Sequence, residues 1–146
     1  MYFDSIEHLR EHLTFHEIKG DEYWSCGGQI FDLFFTAGKN GPTDRQILTY
    51  LDFQQESIMY VDKIRDKAID KLEREHGSAP KRYHTGVPSV DVININEEGA
   101  ATTMDIVLSF CTFRFFFYTR WKTWVVKFKG RDIVELEPAK RFPDSP

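Results

Sequence analysis

The residues whose types and spacing come closest to a chemical device lie near the start of the chain, at His8-Leu9-Arg10-Glu11-His12. They fit the H-x-x-E-H pattern. On a helix the two imidazoles at i,i+4 share a face and could reach one Zn²⁺, with Glu11 as base for its bound water. His16 extends the spacing by another four residues. The chemistry would be metal-assisted hydrolysis. Enzymes of that type also need a third ligand on a second long helix and a substrate cleft, and they are larger proteins. Here the helix is short and terminal, and Thr14-Phe15 ends it before His16. Exposed histidines on a charged helix face are the simpler expectation, so no metal, cofactor or catalytic residue is assigned.

A second constellation runs from Phe113 to Arg131. It interleaves Phe115, Phe117, Tyr118, Trp121 and Trp124 with Arg114, Arg120, Lys122, Lys127, Lys129 and Arg131. Aromatic faces that stack bases, beside cations that hold phosphates, are the means of a single-strand nucleic-acid binder, for which Arg114, Arg120, Lys122 and Trp121 are the candidates. Phe and Trp in strands are mostly core, however, and alternation alone puts charges on the outer face. No named nucleic-acid motif is present, and the chain as a whole carries a net charge of −4.

A third group is acidic: Asp62, Asp66, Asp70 and Glu73 at helical spacing, and Glu97-Glu98 in a turn. Such residues suit a basic protein partner, because complementary charge speeds encounter and suppresses wrong pairings. Nucleophilic catalysis finds less support. There is no G-x-S-x-G elbow, no phosphate loop and no G-x-G-x-x-G, and neither Cys26 nor Cys111 has a basic neighbour to lower its pKa. The leading expectation is a non-enzymatic protein-binding module.

These residues must be positioned by elements that the pattern also outlines. At 146 residues, with 13 Phe, the chain is long enough for one domain with a real core. Its start lacks the basic and apolar runs of an export signal, and no apolar stretch approaches the roughly 18 residues of a membrane span. A cytoplasmic protein with two reduced, buried thiols is the expectation. Residues 1–111 hold 11 basic against 19 acidic side chains, and residues 112–146 hold 8 against 4. A solvated sheet face accounts for the basic C-terminal part.

Ser5 could cap a short helix bearing Ile6, Leu9 and Leu13. Glu22–Cys26 and Gln29–Thr36 read as a hairpin about Gly27-Gly28. Between Pro42 and Gly77 the apolar residues Ile47, Leu51, Ile58, Val61, Ile64, Ala68 and Leu72 recur at helical spacing. One long helix over about 43–76 is therefore expected, with a possible bend at Asp52–Glu56, lying across one face of an antiparallel sheet of five to seven strands. Its outer face carries like-charge rows, Asp62–Asp66–Asp70 beside Lys63–Lys67–Lys71. Residues 78–88 form a connector. Val90–Ile95, Met104–Phe110, Trp124–Phe128 and Asp132–Leu136 read as strands, the last two flanking Lys129-Gly130-Arg131 as a hairpin. The tail from 138 to 146 should fray. The fold class is α+β.

In layout the chain resembles a loose group of small uncharacterised bacterial α+β domains. The residues concerned are Gly41-Pro42-Thr43, Gln46, Phe53, the Ile58/Ile64/Ala68 stripe and the closing Trp124-Val125-Val126-Lys127-Phe128 hairpin. Relatives of that kind often occur beside polymorphic-toxin genes. The resemblance implies an immunity-type protein that neutralises a toxin by binding it, over residues 22–137, and it carries no functional residue across. On the acidic-helix expectation, reversing Asp62, Asp66 and Asp70 to lysine slows association with a basic partner and leaves the domain folded. Unchanged stopped-flow association rates would remove the helix from the interface.

Overall fold

The computed structural model describes residues 1–79, 87–114 and 118–139, with side chains described except at 87, 111–114 and 118–122. The α+β class holds. A seven-stranded sheet runs in strict chain order: β1 (Leu13–Ile18), β2 (Asp21–Cys26), β3 (Asp32–Thr36), β4 (Val87–Glu98), β5 (Ala101–Arg114), β6 (Tyr118–Lys129) and β7 (Asp132–Pro138). The helices are α1 (Ile6–Arg10), α2 (Asp44–Gln55) and α3 (Ser57–His76).

The sheet is mixed rather than antiparallel. Every neighbouring pair is antiparallel except β3 and β4, which run parallel from Asp32↔Val92 to Phe35↔Ile95. The reason lies in the connection. A chain that leaves one strand, crosses the sheet as helix and returns beside it must re-enter from the same end. The β6–β7 hairpin appears where the pattern placed it, whereas β3 pairs with β2 but begins at Asp32 rather than Gln29, so a five-residue loop, Gly27–Phe31, replaces the expected tight turn. Strand β1 was not anticipated. The expected fraying from 138 is delayed: Pro138 pairs with Trp124, and Ala139 N donates to Thr123 O at 2.9 Å; residues 140–146 lie outside the described residues.

Two helices stand where one was expected. Glu56, at φ −116° and ψ 28°, is at once the C-cap of α2 and the N-cap of α3. A straight helix of that span would measure about 50 Å, at 1.5 Å per residue. Seven strands at 4.7–4.9 Å spacing give a sheet only about 30 Å wide. The break lets both halves stay on it, and it shifts the buried stripe: Ile58 is 78% exposed, while Tyr60 takes the inner position. Gly77, at φ 78°, ends α3 in the left-handed conformation expected of a glycine cap.

The core lies between the helices and one face of the sheet. Register carries Leu33, Phe35, Ile93, Ile95, Ile106, Leu108, Trp124, Val126 and Phe128 to that face, against Ile47, Tyr50, Phe53, Tyr60, Ile64, Ala68 and Leu72. Short α1 is fixed by its Ser5 cap and by burial of Leu9 beside Phe3.

Two polar devices anchor the helices. At the start of α2, Thr43 and Gln46 form a capping box. Gln46, 1% exposed, also sends its Nε2 to Thr36 O at 2.9 Å and Ile95 O at 3.0 Å. At the break, Asp52 accepts from Tyr60 Oη at 2.6 Å and from Arg131 Nε at 3.0 Å. Burial alone would push the Asp52 carboxyl up, but the hydrogen bonds from Arg131 and Tyr60 and the guanidinium charge outweigh it and hold it below its ordinary value.

Gln46→Ala should cost about 3 kcal/mol in urea unfolding, because it strands buried carbonyls, against about 1 kcal/mol for Thr43→Ala. Gln46→Glu keeps the acceptor but loses both donors and should do no better than alanine. For Asp52 the folded carboxyl titrates below its unfolded value. Its stabilisation is therefore present above about pH 4 and lost as pH falls through the folded value. Asp52→Asn should lower the urea midpoint at pH 7 and cease to do so near pH 2; a pH-independent loss would show that the charge is not the cause.

Candidate binding face

With every buried stripe turned to the helices, no described element covers the other face of the sheet. Alternation places His16, Tyr23, Phe34, Val92, Val107 and Val125 there, each opposite a core residue's face. Val125 is 40% exposed. Where β2, β3 and β4 meet, this face hollows into a groove of about 740 Å³. Tyr23, Phe34 and Val92 line it, with Asp21, Glu22, Thr36 and Asn94 among its polar members.

The aromatic side of the groove is pre-set. His16 stacks on Tyr23 at 4.9 Å between centroids and 16° between planes, and its Nε2 lies 2.8 Å from Ser25 Oγ. Tyr23 meets Phe34 edge-on at 5.6 Å and 90°. A hydrogen-bonded row then crosses from the groove toward the centre of the sheet. Thr36 Oγ1 donates to Asn94 Oδ1 at 3.4 Å, Asn94 Nδ2 to Asn96 Oδ1 at 3.4 Å, and Asn96 Nδ2 to Asp105 Oδ2 at 3.0 Å. Burial raises the Asp105 carboxyl above its ordinary value; Lys127 draws it down and Glu98 and Glu135 push it further up. On the far side of Asp105, Ser109 Oγ donates to Asp91 Oδ2 at 2.8 Å, Asp91 being the extra residue of a β-bulge in β4.

The charge of this face is lopsided. Asp21, Asp32, Asp105, Glu135 and Glu137 stand on it by register, and Asp91 joins them through Ser109, against Lys127 and Lys129 among the described side chains. Lys127 is partly neutralised by Glu98 at 3.2 Å. Aromatic edges and faces, fixed amides and excess carboxylates together suit cationic groups such as lysine or arginine side chains.

The acidic residues singled out from sequence fall elsewhere. Asp62, Asp66, Asp70 and Glu73 are exposed on α3, but that helix carries as many bases, and Asp62 pairs with Arg65 at 3.4 Å and Asp70 with Arg74 at 2.5 Å. Two of the four are thus paired within the helix. Glu97 turns to the helix side, where it meets Arg45 at 3.2 Å and accepts from Thr43 Oγ1, while Glu98 reaches the open face. The structure thus splits a pair that is adjacent in sequence, and it gathers on one face acids that sequence scatters over five strands. The available signal was alternation itself, applied to polar residues as well as apolar ones.

His8 and His12 do come together, with centroids 5.3 Å apart, but not as a ligand pair on one helix. Helix α1 ends at Arg10, Glu11 is its exposed cap, and the His12 Nδ1 lies 3.0 Å from His8 O. His8 Nδ1 sits 3.1 Å from Asp4 Oδ1. Among the described residues no three His, Cys, Asp or Glu side chains are placed to hold a metal ion. Arg114, Arg120 and Trp121 are strand residues of β5 and β6, as is Lys122, and their side chains lie outside the described set. Trp124 is wholly buried on the helix side. Cys26 is a free, buried thiol whose pKa burial raises to about 11, far from nucleophilic at neutral pH; the Cys111 side chain is outside the described set. No helix among the described residues is long and apolar enough to cross a membrane.

A carboxyl raised on folding favours the native state below its unfolded pKa and loses that contribution as pH rises through the folded value. Asp105→Asn should accordingly be more stable than wild type at about pH 7, with the gain vanishing by about pH 3, below the ordinary Asp range, as read from urea midpoints. The chain matches no protein-family model, and neither a curated protein nor a solved structure shows significant similarity to it.

Proposed function

We propose that this is a protein-binding module, of the immunity type that acts by occupying its partner, and that the open sheet face receives a basic protein. The observation that supports it most is the coincidence of a pre-set aromatic groove with an excess of carboxylates on one face, while the acids of α3 are matched by bases. An interface of about 800 Å² per partner is the usual size for a stable complex, and a seven-stranded sheet face offers that scale of surface. Within it, Tyr23 and Phe34 are the candidate anchors, since buried aromatic residues supply most of the binding energy of such interfaces. The surrounding carboxylates would chiefly set on-rate and partner choice.

A single-stranded nucleic acid is the less favoured occupant. Its phosphates would face the carboxylates of Asp91, Asp105, Glu135 and Glu137, and like charge opposes that approach.

Native mass spectrometry of the protein purified gently from its own host identifies a partner and its stoichiometry. The partner should be basic. Tyr23→Ala with Asp21→Lys should weaken it at least tenfold, chiefly through faster dissociation for the first change and slower association for the second. The triple reversal of Asp62, Asp66 and Asp70 should leave affinity within about twofold, since α3 lies on the other side of the sheet and Asp62 and Asp70 are already paired with Arg65 and Arg74. An acidic partner, or a partner sensitive to the α3 reversal and not to the groove, overturns the assignment of the face.

A further inference from the structure

Strand β1 ends the sheet on the N-terminal side, paired to β2 and, among the described residues, to no strand on its outer side. Its register is unbroken from Leu13↔Cys26 to Ile18↔Asp21, and Gly27 N extends it by donating to His12 O at 3.3 Å. That bond fixes which residues face which way. Bonded pairs alternate along an antiparallel ladder, so Thr14, His16 and Ile18 spend their backbone groups on β2. Leu13, Phe15 and Glu17 turn theirs outward, three N–H donors and three C=O acceptors in one row. The turn gives the same answer. Lys19 and Gly20, at φ 53° and 87°, form a two-residue hairpin loop that closes on a bonded pair, here Ile18 and Asp21.

Edges are closed to pairing by proline, by bulges or by rows of charge. Strand β1 has no proline and no bulge, and Glu17 is the one fully charged side chain among its six residues. Helix α1 is drawn inward from it: Leu9 is buried, and Arg10 reaches Pro42 O at 2.9 Å and Asp44 Oδ1 at 2.7 Å at the start of α2. At the opposite end of the sheet, β7 carries Asp132, Glu135, Glu137 and Pro138 and a register shift against β6. One edge is protected and the other is not.

We propose that two copies of this chain join through β1, antiparallel about a two-fold axis at Phe15, into one continuous sheet. The axis position follows from the outward groups. Centred on Phe15, the pairing sets Leu13 against Glu17 of the second copy and Phe15 against Phe15, so every outward donor and acceptor of both strands is used. Moving the axis to Thr14 or His16 leaves one end of the row opposite a residue outside β1, and moving it to Glu17 sets like charges against each other. In the Phe15 register no like charges meet: Glu17 faces Leu13, and Thr14 faces His16. Phe15, half-buried and 5.2 Å from Trp24 between ring centroids, gains a second aromatic neighbour across the axis. A basic strand would find only Glu17 to pair with here, which favours the second copy as occupant. Because the interface is isologous and β7 is protected, assembly stops at two. Both helix layers then lie on one side and both open faces on the other.

Sedimentation equilibrium of the full chain tests this. On the order of 100 μM, where even a micromolar contact is filled, the mass should be twice that of the chain and fall on dilution. Glu17→Pro removes an outward N–H and leaves the β1–β2 bonds intact, since proline is tolerated where its nitrogen faces away from the sheet. The axis doubles the loss to two bonds, so this variant, with native circular dichroism, should dimerise about tenfold more weakly. Phe15→Cys should form an intermolecular disulfide under mild oxidation, because bonded residues across an antiparallel pair stand about 5.5 Å apart between Cα atoms. Thr14→Cys and His16→Cys, each displaced along the strand from its own twin, should not, with the wild-type chain as the blank for Cys26 and Cys111. A chain that stays monomeric overturns the proposal, as does a dimer indifferent to Glu17→Pro or cross-linked through Thr14 or His16 and not Phe15. Protection of the Leu13, Phe15 and Glu17 amides from exchange only when a basic partner is added gives the edge to that partner instead. None of these results bears on the open face, whose assignment rests on the groove variants.

Discussion

The structure depends on one buried amide. Among the described residues the parallel β3–β4 pair is the strand pairing that joins the N-terminal meander β1–β3 to the C-terminal meander β4–β7, and Gln46 bridges it from above by donating to Thr36 O and Ile95 O. The same side chain accepts from Thr43 N at 2.9 Å. One residue thereby satisfies the helix start and the ends of two strands, all in a place where water is excluded. Leu33, Phe35, Ile93 and Ile95, every one of them buried, complete the junction with apolar contact. Without the amide, that contact would have to be made against carbonyls lacking partners.

From that junction the layering follows. Helix α2 starts at the amide, turns at Glu56 and hands over to α3, and the Asp52–Tyr60–Arg131 cluster ties the turn to the β6–β7 hairpin. Lys63 Nζ adds a second tie by donating to Arg131 O at 2.8 Å. Both long helices are thus committed to one face. The other face is free to be polar, acidic and aromatic at once, because nothing in the core constrains its composition. Stability and recognition are assigned to opposite sides of the same strands, residue by residue.

Much of this was legible in the sequence, and what was not has identifiable causes. The Pro42–Gly77 helical region and the β6–β7 hairpin follow from local spacing and turn chemistry, while the choice of Thr43 rather than Asp44 as the cap came with the structure. The helix break was visible only as a thinning at Asp52–Glu56, and Ile58 was misplaced because a 3.6-residue period was carried across it. The parallel pair was missed although the strand–helix–strand order implies it, since two hairpins on either side suggested an antiparallel sheet throughout. Strand β1 carries His16 and Glu17 amid Leu13, Phe15 and Ile18, a mixture with no clean alternation. The acids of α3 are adjacent on a helix and easy to see; the pairing of Asp62 with Arg65 and of Asp70 with Arg74 needs rotamers. The acidic open face is assembled from five strands and has no sequence signature beyond parity.

The division into two meanders also governs how the chain can reach this state. Within each meander, neighbouring strands are joined by short connections, so pairing there is local and fast to attempt. The β3–β4 contact instead closes a loop of about fifty residues, whose entropic cost is met before any of its packing is gained. The two meanders are thereby natural cooperative units, and the amide bridge is formed only once both exist. Native-state hydrogen exchange should resolve them as separate openings, with the amide protons of β3 set by the N-terminal unit and those of β5 and β6 by global unfolding. The seam that joins the two meanders is thus also the strand pairing with the greatest loop-closure cost.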